Sequence, residues 1–176
     1  MAIDEIRCGE RFLFLRMSPS WTFVDDLRRF IESFCSASCP GADREEQLAL
    51  ATHELVQNAI AYASTPGVEL RLELDAETER VRVSVTNASG PEQAEVLRAR
   101  VAEVTGVADP LAAYLAAMRR APEERGGLGL PRVRFEAALD LRVEIAGGRV
   151  TVHAEGPLAP PDVCGAAAWA PEAGLA

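Results

Sequence analysis

Two stretches of this chain, "GVELRLELD" (67–75) and "ERVRVSVTN" (79–87), alternate apolar and polar residues without a break. Successive side chains of a strand point to opposite faces, so each stretch is a strand with one apolar face. Only "AET" separates them, which makes a hairpin with Val68, Leu70, Leu72 and Leu74 on the same side as Val81, Val83 and Val85. "DLRVEIAGGRVTVHAE" (140–155) repeats the pattern and turns at Gly147-Gly148. A sheet that is apolar on one face only must be covered on that face and wet on the other. Few architectures satisfy that.

The remaining segments supply the cover. "RFLFLRM" (11–17) is a further short strand, and "SPSWTFVDDLRRFIESFCSA" reads as a helix. In that helix Ser20 is a cap, and Trp21, Val24, Leu27, Ile31 and Phe34 or Cys35 share one face. "CPGAD" ends it, and Asp43 is placed to cap the next helix, whose stripe is Leu48, Ala51, Leu55, Ala59 and Ala63. Residues 91–121 read as two weaker helices, and "APEERGGLGLPRVRFEAAL" as a glycine-rich loop opening into a helix. Strands and helices fall in separate runs, which predicts an α+β fold: a two-layer sandwich, its mixed, mostly antiparallel sheet covered by helices on one face. The folded domain is expected to span 1–155. From 156 the Pro- and Ala-rich sequence reads as a mobile tail.

Two local features carry chemistry. Glu54 and Asn58 lie one turn apart beside the apolar stripe of their helix, so their side chains enter the same space. A carboxylate there is either a solvated shoulder or a group that something pairs with or uses. In "ERGGLGLPRV" (124–133), Gly126, Gly127 and Gly129 permit tight turning ahead of a helix, and Pro131 suits its first turn. Such a loop is a plain flexible turn or an anion site built from bare backbone N–H groups. His53 is expected at the surface, and His153 in a structural place on its strand.

Composition removes other classes. The net charge is −9 and all 18 basic residues are arginine. An acidic chain without a basic stripe is a poor nucleic-acid binder. Without lysine there is no Walker-type phosphate loop and no Schiff base. No apolar run approaches a membrane span, and "MAIDEIRCGER" lacks the regions of a signal peptide. Cys8, Cys35, Cys39 and Cys164 fit no zinc spacing, so a reduced, cytoplasmic protein is expected.

Taken together, "ELVQNAIAYAS", the hairpin, the helical insertion and "RGGLGLPRV" resemble the histidine kinase-like (GHKL) ATPase superfamily. Within it the bare architecture is most similar to bacterial anti-sigma-factor serine/threonine kinases and related stand-alone ATP-binding regulators. The resemblance covers roughly residues 10–155 and implies a Bergerat-type ATP-binding fold. It implies ATP and Mg²⁺ as cofactors, with Glu54 as general base and Asn58 on the metal. Gly126, Gly127, Leu128 and Gly129 would offer backbone donors to the phosphates, while Arg125 either adds charge there or faces solvent. It also implies a protein partner, sigma-factor or anti-anti-sigma-like, that receives a phosphoryl group on Ser or Thr or is bound in an ATP-gated way. A homodimer is compatible with it; nucleic acid and membrane are not expected. One place departs from the pattern. In "VSVTNASGPEQ", Asn87 stands for the adenine-reading aspartate, and Ser89 and Pro91 for two glycines. An amide accepts more weakly than a carboxylate, so the alternative is a non-catalytic interaction module with a degenerate nucleotide site.

Overall fold

The computed structural model describes residues 10–18, 21–39, 43–120 and 127–159. Alternation becomes structure as expected. The strands are β1 (Glu10–Met17), β2 (Val68–Asp75), β3 (Arg80–Ala88), β4 (Asp140–Ala146) and β5 (Arg149–Pro157). They form one five-stranded sheet in the order β1-β2-β3-β5-β4. Every pairing is antiparallel, so the sheet is not mixed. Leu70, Leu72 and Leu74 stand opposite Val85, Val83 and Val81, and Val83 and Val85 meet Ala154 and Val152 of β5. All eight are buried. At roughly 1.5–3 kcal/mol for each large aliphatic side chain removed from water, this ladder also fixes register, because a one-residue slip would expose it.

The helices are α1 (Trp21–Ser38), α2 (Glu45–Ala61), α3 (Pro91–Gly106), α4 (Pro110–Arg120) and α5 (Gly129–Phe135). α1 turns Val24, Leu27, Ile31 and Cys35 inward. α2 lies against β2 and β3 and buries Leu48, Ala51, Leu55 and Ala59. Burial raises the Cys35 thiol to about 12, with Cys39 and Glu45 adding to the effect, so it is inert. The far face of the sheet carries polar cross-strand pairs: Thr86 with Thr151 at 2.8 Å, and Ser84 with His153 Nδ1 at 2.9 Å. Burial, then Arg142 and Arg82, lowers the His153 pKa, which suits a neutral hydrogen-bonded ring. No helix among the described residues is long and apolar enough to cross a membrane.

The start of α2 differs from expectation. Asp43 does not cap it: Asp43 sits at φ 49° and Arg44 is the N-cap, without a side-chain bond to the helix. The reason is long-range. Arg44 is only 1% exposed, and its guanidinium donates to the carbonyls of Pro157 (2.8 Å), Ala159 (3.2 Å) and Ala137. One buried cation thus ties the entry of α2 to the end of β5 and the α5–β4 turn. Glu45 and Glu46 in the first turn complement the helix dipole without a capping side chain. Ser20 and the Trp21 side chain lie outside the described residues.

Candidate functional site

With its apolar stripe on the sheet, α2 turns Glu54 and Asn58 toward α5. Glu54 is 9% exposed. A carboxylate so far out of water requires a partner. Arg132 of α5 supplies it, its Nη1 donating to Oε1 at 2.8 Å. The other oxygen is walled by backbone: a Cβ added at Gly129 would stand 2.5 Å from Oε2. A side chain at 129 would therefore push the Glu54 carboxylate out of its present place. Arg132 also holds Glu136, through Nε at 3.0 Å and Nη2 at 3.2 Å. That hydrogen bond raises the Arg132 pKa, with the charges of Glu136 and Glu54 adding to it and burial opposing.

Asn58 donates from Nδ2 to the Glu54 backbone carbonyl at 2.9 Å, which orients the amide and leaves Oδ1 to accept or to ligate. It lines a cavity of about 90 Å³ that also reaches Gly127 and Leu130 of the loop-helix and the inner sides of α3 and α4. Arg100 is part of that wall and makes no hydrogen bond or ion pair among the described residues. Arg120 lies there as well, paired with Glu103. An anion entering this space would meet the Arg100 guanidinium and the Asn58 carboxamide oxygen. The cavity, at about 90 Å³, is smaller than the ~300–1,000 Å³ usual for a bound organic ligand, so as it stands it does not enclose a whole nucleotide. Among the described residues no three His, Cys, Asp or Glu side chains gather as a metal cage. Mg²⁺ seldom needs one, because it keeps waters and takes one or two protein oxygens plus phosphates. Asn58 Oδ1 fits that role.

The structure brings together Glu54, Asn58, Gly127 and Gly129, with Leu128 as N-cap of α5 accepting the Arg132 N–H at 3.0 Å. Arg125 and Gly126 lie outside the described residues. Asn87 is 3% exposed at the end of β3, where its Nδ2 donates to Ala88 O at 3.1 Å. It is not a wall of the Asn58 cavity. The segment after it is stitched in place: Ser89 Oγ donates to Tyr62 O at 2.9 Å and its N–H to Gly148 O at 3.1 Å. Pro91 is the first residue of α3 behind the N-cap Gly90. His53 is half-buried, not a surface residue, and its Nδ1 is buried without a partner.

Three arginines of this region went unnoticed in the sequence: Arg132, Arg100 and Arg134. The last is buried and donates from Nη1 to the carbonyls of Val104 (2.6 Å) and Val107 (2.8 Å), closing the end of α3. A weak signal existed for Arg132. It stands three residues after Gly129, and helical side chains lean toward the helix N-terminus, where Glu54 waits.

A family model described as the histidine kinase-like ATPase domain matches residues 18–155. Among solved structures, the chain is similar to one titled the crystal structure of the SiaB-SiaC complex from Pseudomonas aeruginosa. The likeness has a TM-score of 0.60 at 14% identity and covers 82% of this chain and 88% of that one. At that identity it shows the fold alone. No curated protein matches the sequence.

Proposed function

Because the chain belongs to the histidine kinase-like ATPase domain family, we propose that it is an ATP-binding regulator that acts on a protein partner. The observation that carries this reading is the cavity in which Asn58 of α2 faces Gly127 and Leu130 of the loop-helix, with Arg100 in its wall and Glu54 one turn away against Gly129. Asn58 Oδ1 would hold Mg²⁺, and Arg100 and the backbone donors of 127–129 would hold phosphate oxygens. Bound ATP supplies the γ-phosphoryl group. Glu54 takes the proton from the attacking Ser or Thr hydroxyl of the partner as the oxygen–phosphorus bond forms and the bond to ADP breaks. The partner is of the sigma-factor or anti-anti-sigma class. The similar solved structure, a complex of two proteins by its title, supports a protein partner.

Calorimetric titration with Mg²⁺-ATP tests binding, and two substitutions separate the roles. Glu54→Gln keeps the shape and leaves nucleotide affinity nearly intact. Phosphoryl transfer to the partner falls ~10²–10⁴-fold, the usual cost of losing a general base. Asn58→Ala weakens Mg²⁺-ATP binding itself.

A second reading rests on the stitched Ser89 segment and the engaged Glu54 carboxylate: an interaction module with a degenerate site. It wins if the wild type binds no nucleotide and both substitutions merely lower Tm.

A further inference from the structure

The sheet has two edges, and only one of them is guarded. β4 closes one side with Asp140, Arg142 and Glu144, all exposed, at successive positions of the face away from the helices. Charged side chains along an edge keep foreign strands off it. β1 closes the other side and carries Phe12 and Phe14 at the matching outer positions, 46% and 49% exposed. Leu13 and Leu15 pack against the core from the inner face. The run has no proline or glycine, and its register with β2 is continuous from Glu10 to Met17, without a bulge. Among the described residues no strand pairs its other side. An edge of that kind accepts a further strand.

What fits it is set by the order of its side chains. Phe12-Leu13-Phe14 reads the same in both directions, and an antiparallel partner is met in reverse order. Residues directly opposite in an antiparallel ladder lie on one face, so outer positions must meet outer positions. A second copy turned about a two-fold axis at Leu13 satisfies this. Phe12 then meets Phe14 of the second copy, Phe14 meets its Phe12, and the two Leu13 side chains meet each other. Centring the axis on Phe14 pairs that ring with itself but sets Phe12 against Arg16. Charge permits the approach. The chain carries −9 overall, so two copies repel over most of their surface. Beside β1 the outer face is balanced, with Arg16 3.6 Å from Glu69 and Arg71 3.0 Å from Glu73.

We propose that β1 is a self-docking edge, through which two copies of this chain join their five-stranded sheets into one continuous antiparallel sheet, Phe12 against Phe14 across the junction. A strand edge and four rings make a small interface, so the dimer is of the weak, exchanging kind. The proposal is independent of the nucleotide reading.

Sedimentation velocity of the full chain over a concentration series, up to about 1 mM, tests it. The wild type is expected to pass from 18.9 kDa toward twice that mass. Phe12→Lys and Phe14→Glu, both at half-exposed positions, each weaken association roughly tenfold or more. Mixed in equal amounts the two variants associate again, because the introduced cation of one meets the introduced anion of the other while the remaining rings still pair. That recovery also shows that both variants are folded. Phe30→Lys on α1, 47% exposed, leaves association at the wild-type level. A single-chain mass at every concentration, association undiminished by either β1 substitution, its loss with Phe30→Lys, or no recovery on mixing overturns the proposal.

Discussion

α3 and α4 follow one another in the chain, share an alanine- and charge-rich composition, and roof the same cavity, yet they are held by different means. α3 sinks Ala94, Leu97 and Val101 into the main core, and Arg134 closes its last carbonyls. α4 buries only Ala113 and Ala117. It is also tied by the stacking of Tyr114 on Phe135, centroids 5.3 Å apart, and by the Arg120–Glu103 pair at the surface. Leu111, Leu115 and Met118 lie outward on it, exposed. The difference locates motion. A segment opens at low cost where little apolar area is lost on opening, so α4 is expected to lift from the roof before α3 does.

The sharpest way to break this contrast is through α3. Leu97→Ala removes a side chain only 1% exposed and is expected to cost ~2–5 kcal/mol of global stability, read as a lower denaturant midpoint across the whole molecule. A loss confined to 91–120 would show that α3 is as detachable as α4.

Arg134→Met is next. It strips the carbonyls of Val104 and Val107 of their donor at about 1–3 kcal/mol, the cost of leaving buried acceptors unpaired. Amide exchange should quicken across 104–120 while β2 and β3 keep their protection. Uniform loss of protection would mean that the arginine supports the core and not the junction.

The smallest effect belongs to α4 itself. Ala113→Gly costs the helix about 1 kcal/mol, and the global midpoint should hardly move, because α4 is already the first part to open. Exchange in 110–120 rises without ligand and is slowed by Mg²⁺-ATP, whereas 94–101 responds to neither. If the nucleotide protects both helices alike, the roof moves as one piece.

Periodicity made most of this architecture legible. Alternation in 68–88 and 140–155 gave four strands, both hairpins and the turn at Gly147-Gly148. The i, i+4 spacing of Glu54 and Asn58 put both on the side of α2 that faces α5, Asn58 in the cavity wall and Glu54 against Gly129 and Arg132. What stayed hidden was every contact made by an arginine over a long stretch of chain. Arg44 fixes where α2 starts, 93 to 115 residues away from its carbonyl partners, and Arg132 reaches Glu54 across 78. Local patterns report which side of an element faces oil, and they are silent about where a long flexible cation ends. The difference between α3 and α4 was hidden for a related reason. Both are alanine-rich, and one buried leucine and one buried valine separate the two.

Gly129 bears on how such sequences are read at all. A glycine before a phosphate-binding helix is ordinarily credited to the ligand, whose oxygens need bare backbone nearby. Here a methyl group at that position would collide with Glu54 whether or not any nucleotide ever arrives. A side chain at 129 would push the carboxylate off its place beside Arg132, so a chain that abandoned ATP but kept that ion pair would keep this glycine too.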